Sequence, residues 1–183
     1  RPLSAGLSIA AVVAGFFPWS HRGTTKGRDY HVSLSPQAIL EDPEFLATLK
    51  GAGVSCVWLE GFFYGYWPWP LTSLQAARDR LEQAGVETRV VNVPLGHPGD
   101  SLGSKDGAFP LTPPAHWRLG TTVDGQTYAG TSLHAPATEE NVAALRNLRK
   151  SGFTHVFLDD DFRLARGPGQ IGGCFCEEHR TRF

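Results

Sequence analysis

The sequence predicts an α/β fold of the (β/α)8 TIM-barrel type, present as about four β/α units, a partial barrel, with a long insertion after its third strand. Three observations carry this. A unit made of a helix end, a glycine and a short apolar run occurs three times, as LKGAGVSCVWLEG (49–61), LEQAGVETRVVNV (81–93) and LRKSGFTHVFLDD (148–160). The apolar runs after Gly53, Gly85 and Gly152 are nearly continuous, as strands buried on both faces require, and helices separate them. Strands and helices alternating in this way build a parallel sheet with right-handed crossovers. Counting seven residues on from each glycine gives Glu60, Asn92 and Asp159. These are polar residues at the strand-end station where a barrel carries its chemistry. A doubly wound sheet would instead often show a glycine-rich phosphate turn directly after a strand, and no Walker-type GxxxxGK[ST] loop occurs.

In chain order, LSIAAVVAGFFPW near the N-terminus is apolar over about 13 residues, too few to cross a membrane. It reads as a buried first strand at about 7–15, with the tail of a signal peptide as the alternative. Ser35-Pro36 opens one helical segment and Asp42-Pro43 opens another that runs to Lys50. The second strand follows Gly53. LTSLQAARDRLEQAG then sets Leu74, Ala77, Leu81 and Ala84 on one stripe, with Thr72 or Ser73 as the N-cap. The third strand ends at Asn92-Val93-Pro94, and the next helix starts at Thr138. That helix has Glu139 and Glu140 in its first turn and Arg149 and Lys150 in its last, matching the helix dipole at both ends. The fourth strand leads to Asp159, and a last helix begins at Glu177.

Residues 1–183 thus form a single N-terminal portion of a barrel domain, with an insertion at 94–137. A full barrel needs roughly 250 residues. The expectation is therefore a fragment or processed chain, which begins on Arg1.

Hydrophobic content of 41% and charged content of 19% suit a folded soluble domain, and a net charge of −1 offers no field for nucleic acid. No membrane partner is expected. Composition leaves the compartment, cytoplasmic or secreted, undetermined.

The strand ends supply the candidate site. The first strand runs into GFFPWSHRG, with Trp19, and the second into EGFFYGYWPWP, which packs six aromatics, Tyr64 and Trp67 among them, into eight residues. Such a cluster is core packing or a platform for the flat faces of sugars. Glu60, just before it, is either a structural ion-pair partner or a substrate contact. The 44-residue insertion is far longer than an ordinary βα loop. Its Asp124-Gly125 predicts a β-hairpin, and its His97 and Asp100 are candidate substrate contacts on a lid or subsite wall. Asp159 and Asp161 should share one face of the fourth strand, with Arg163 and Arg166 at hand to pair. A barrel-rim carboxyl with a raised pKa serves a glycosidase as general acid, and an ionised one as nucleophile.

Cys174, Cys176 and His179 are soft ligands at short spacing. They fit a structural zinc completed by a fourth ligand from elsewhere, a packed loop with free thiols, or a disulfide. No cofactor is required by anything else in the chain. The HxH pair of a binuclear metal hydrolase is absent from the predicted first strand.

LDDDFR, a glycine-rich loop and GCFCEEHRTRF together resemble uncharacterised glycoside-hydrolase-like TIM barrels of bacteria. In those a fourth strand ends in an acidic motif, and a Cys-x-Cys-x2-Cys/His turn opens the next helix. The resemblance is specific over about 156–183. It implies a (β/α)8 barrel acting on carbohydrate, with Asp159 or Asp161 as the catalytic carboxylate. The strand ends and loops themselves offer Glu60, Asn92, Trp19, Tyr64, Trp67, His97, Asp100 and Arg163 toward substrate. This chain has His179 where a third cysteine is expected, and lacks strands five to eight. The alternatives are a non-catalytic carbohydrate-binding or pseudoenzyme barrel, and a half-barrel that self-associates through its open sheet edges.

Overall fold

The structure, a computed structural model, describes residues 29–95, 113–131, 134–159 and 174–182. The predicted strand at 7–15, Trp19, His97, Asp100, Asp161 and Arg163 lie outside the described residues.

Ser35-Pro36 and Asp42-Pro43 each open a helix, as their chemistry predicts. Ser35 Oγ accepts the N–H of Ala38 at 3.2 Å, and Pro36 is the first residue of α1 (Pro36–Glu41). Asp42 Oδ1 accepts the N–H groups of Glu44 and Phe45 at 2.8 and 3.2 Å, leading into α2 (Phe45–Gly51). A strand that the sequence reading passed over, β1 (Tyr30–Leu34), precedes them.

After Gly53 comes β2 (Val54–Phe63), then α3 (Leu71–Gln83), and after Gly85 β3 (Glu87–Val93). The insertion contributes β4 (Leu119–Thr121) and β5 (Thr127–Thr131). Then follow α4 (Ala137–Lys150), β6 (Val156–Leu158) and α5 (Glu177–Arg182). Gly53, Gly85 and Gly152 take φ of 81°, 77° and 89°, the left-handed backbone expected where a helix stops before a strand. Two caps differ from expectation. Helix α3 starts at Leu71, ahead of Thr72 and Ser73, and α4 at Ala137, ahead of Thr138; neither uses a side-chain cap, a proline preceding each instead.

The chain is a mixed α/β fold around a four-stranded parallel sheet in the order β1-β2-β3-β6. Among the described residues strand order follows chain order, without the reversal that marks a doubly wound sheet. Ile39 of α1, Leu49 of α2, Leu74, Ala77 and Leu81 of α3, and Leu148 of α4 share one core with Val57 and Leu59 of β2 and Val90 of β3. These helices therefore cover the same face of the sheet. Burying Leu74 or Leu81 completely is worth about 1.5–3 kcal/mol each.

The opposite face is polar and aromatic. Arg89 lies over the Trp58 ring at 5.1 Å, Phe157 meets that ring edge-on at 5.9 Å, and His31 Nδ1 accepts from Trp58 Nε1 at 3.4 Å. No described helix is long and apolar enough to cross a membrane.

The predicted hairpin is present. Strands β4 and β5 pair antiparallel around Asp124-Gly125, where Gly125 has φ 84°. The turn is closed by Thr122, whose Oγ1 accepts the Gln126 N–H at 2.9 Å and whose N–H donates to the Gln126 carbonyl at 2.7 Å.

Candidate functional site

Strand register decides which strand-end residues can act together. Glu60 lies two residues beyond Trp58, and Asp159 two beyond Phe157. Side chains alternate along a strand, so both carboxylates belong to the face away from the helices. The Asp159 N–H donates to the Asn92 carbonyl at 2.8 Å, which carries the parallel ladder one step past β6. Glu60 is half-buried and its Oε2 accepts the Trp69 indole N–H at 3.1 Å. Burial pushes its carboxyl above the usual carboxylate range, and the Trp69 bond opposes this in part.

Asn92 keeps the strand-end station but not the face. It sits two residues beyond Val90, on the helix side, and is only 1% exposed. Its Oδ1 accepts the Phe62 N–H at 2.9 Å, at the place where the β2–β3 register shifts between Glu60 and Phe63. The bulge would otherwise leave that N–H unpaired in the interior. Asn92 therefore holds the strand together, and it misses the face of Glu60 because the register sets Glu60 opposite Val91, one residue off the equal spacing from the glycines.

The aromatic run after Glu60 is mostly interior. Phe62, Phe63 and Tyr64 are buried, and Trp67 is half-buried beside Phe62 at 5.3 Å. Tyr64 turns the chain inward with φ 34°, and its N–H donates to the Val93 carbonyl. Gly65 follows with φ 99°, and a side chain there would collide with Pro114. Tyr64 is thus a core residue, and the loop serves to seat the insertion. Trp117 is 3% exposed in the same cluster and donates to Glu140 Oε2 on α4 at 2.9 Å, while His116 meets Glu140 Oε1 at 2.6 Å.

The other end of the insertion meets the start of α5. Cys174, Cys176 and His179 come together as their spacing suggested, and His134, just before α4, joins them. One ligand atom from each of the four lies within 4.8 Å of the others. His134 Nε2 is 3.5 Å from Cys176 Sγ and 3.7 Å from Cys174 Sγ, and the His134 and His179 rings stack at 4.3 Å. The ring of His134 is buried, with Nδ1 turned to Glu178 Oε2 at 3.2 Å.

Cys174 Sγ also accepts the Thr121 N–H at 3.4 Å. Burial, the largest single influence on the Cys174 thiol, pushes it up. Hydrogen bonds from the Cys176 N–H, His134, the Thr121 N–H and His179 together outweigh it and bring the thiol down to about 5. Both cysteines are free. This is a donor set of two sulfurs and two imidazoles within metal-binding distance.

Sequence reasoning missed His134, which stands 40 residues before Cys174. The available signal was a histidine at the exit of the insertion, directly before a proline-initiated helix. No family model, curated protein or solved structure matches this chain.

Proposed function

We propose that this chain is part of a (β/α) barrel that acts on carbohydrate as a glycoside hydrolase. The observation that supports this best is that Glu60 and Asp159 lie toward the C-terminal ends of parallel strands, Glu60 level with Phe157, on the face that the helices leave uncovered. In a barrel that face lines the interior, and those strand ends form the rim where the reaction takes place.

Asp159, with Asp161, supplies the carboxylate chemistry. A protonated carboxyl gives its proton to the leaving glycosidic oxygen, while an ionised one attacks the anomeric carbon or takes a proton from the attacking water. Glu60, which burial makes a weaker acid, suits a hydrogen-bond or proton donor toward the sugar. Trp19, Trp67, His97, Asp100 and Arg163 complete the substrate contacts, while Asn92 and Tyr64 serve the scaffold. Cys174, Cys176 and His179 would hold a structural zinc that takes no part in bond cleavage.

The test is turnover of aryl glycosides by the protein of the complete reading frame. Asp159→Asn or Asp161→Asn is expected to lower kcat by about 10²–10⁴-fold, the usual worth of a positioned acid or base. Turnover untouched by either change would remove both residues from catalysis. Sugar binding without hydrolysis would favour a non-catalytic carbohydrate-binding barrel.

A second reading, self-association of the half-barrel, is favoured by the edge strand β6. Its Phe157 and Leu158 are 51% and 40% exposed, on opposite faces.

A further inference from the structure

We propose that His134, Cys174, Cys176 and His179 form a tetrahedral zinc site that clamps the insertion to the chain segment entering α5. The inference rests on the structural-zinc reading but not on the carbohydrate chemistry. It adds a fourth ligand, an outer carboxylate and a mechanical role.

The geometry points to zinc in three ways. With Zn–S of about 2.3 Å and Zn–N of about 2.0–2.1 Å, a tetrahedral angle separates sulfur from nitrogen by about 3.6 Å. The two distances from His134 Nε2 to sulfur, 3.5 and 3.7 Å, fall on either side of that value. Next, His134 Nε2 faces both sulfurs at once, and one proton or lone pair on that nitrogen serves only one of them. A single cation between them satisfies both. Lastly, the far nitrogen of His134 faces the Glu178 carboxylate at 3.2 Å, and Glu178 is itself held by Arg118 at 3.1 Å and Arg182 at 2.8 Å. A carboxylate behind a metal-bound imidazole fixes the ring and strengthens it as a ligand. Two thiolates with two imidazoles select zinc over magnesium or calcium, and four protein donors leave no open position for catalysis.

The mechanical role follows from what else holds these pieces. Helix α5 has six residues and buries none of them, so neither its length nor its packing keeps it folded. Its approach is tied to the insertion by the Phe175 N–H to the Thr121 carbonyl at 2.8 Å and by the Thr121 N–H to Cys174. The earlier leg of the insertion is held separately, by buried Trp117 and by Pro114 against Gly65. The metal therefore fixes β4 and α5 in particular.

The experiment is zinc and cobalt titration of the full chain. One equivalent should bind. The cobalt form should show thiolate-to-metal charge transfer with the intense visible bands of a tetrahedral site. His134→Ala should abolish that tetrahedral spectrum, and Glu178→Gln should keep it with affinity lowered about 10–100-fold. Chelation of the wild-type chain, followed by hydrogen exchange, should deprotect β4 and α5 while β1, β2 and β3 stay protected.

Wild-type protein that binds no stoichiometric zinc, or a Cys174–Cys176 disulfide seen by mass, would overturn the site. An unchanged cobalt spectrum in His134→Ala would remove the fourth ligand, and unchanged protection on chelation would remove the clamp. Should His134→Ala fail to fold, the chelation experiment on the wild-type chain still decides. Inactivity on aryl glycosides with intact zinc binding would refute only the carbohydrate reading, and activity without zinc binding only the clamp.

Discussion

Glu60 and Gly61 are neighbours with opposite duties. Glu60 looks away from the helices, and burial raises its carboxyl pKa in the folded state. The unfolded chain ionises at the ordinary value, so Glu60 favours folding most below about pH 4.3. That contribution falls away as pH rises through the raised folded value. Glu60→Gln keeps an acceptor for Trp69 and removes the charge. The variant should melt above wild type at pH 7, and the gap should close toward pH 4. An equal gap at both pH values would refute the burial argument. Gly61 faces the helix side, where a Cβ would overlap Asn92 Oδ1 and Val90 Cγ1. Gly61→Ala should cost about 1–3 kcal/mol in urea unfolding, as overpacking does, because the buried Asn92 has no room to retreat. Neutrality there would mean that the bulge repacks freely.

At the scale of elements, those that announce themselves locally were legible. Ser35 before Pro36 is a complete helix start, and Ser35→Ala should cost about 1 kcal/mol (range about 0.5–2) by losing the bond to the Ala38 N–H. Equal stability of the two proteins would show that Pro36 alone sets the start. The glycine before each of β2 and β3, the Asp124-Gly125 turn and the start of α5 at Glu177 were legible for the same reason: a few adjacent residues fix the backbone there. Strand β1 was not. Tyr30, Val32 and Leu34 do alternate with exposed residues, but five residues beside one neighbouring strand give a weak signal. The candidate site divides in the same way. Cys174, Cys176 and His179 lie within six residues and could be grouped by spacing. His134 stands 40 residues before Cys174, with α4 and β6 between, so no short spacing links it to them. Asn92 lies on the other face because pairing sets Glu60 opposite Val91, one residue off the spacing counted from the glycines. Local chemistry is written in order along the chain, whereas convergence depends on pairing that no short window contains.

The whole molecule has one sheet face sealed by helices and one that carries Trp58, Arg89, Phe157 and the strand-end carboxylates. In a barrel, further strands would close over the second face. Under the proposed self-association, a second copy pairs at the exposed edge. The net charge of −1 gives little mutual repulsion, and β6, at an edge of the four-stranded sheet, carries no lysine among Val156, Phe157 and Leu158 to discourage pairing. Sedimentation velocity over a concentration series should therefore show a mass above the 19.9 kDa monomer that grows with concentration. Leu158→Lys should lower it. The substituted side chain extends from the exposed edge of the sheet, where a charge disfavours strand addition, and the core loses little because Leu158 is already 40% exposed. A monomer at every concentration would rule out edge pairing for this chain. A concentration-dependent mass that Leu158→Lys leaves unchanged would instead assign the contact to the Trp58 and Phe157 face, and Phe157→Lys should then abolish it.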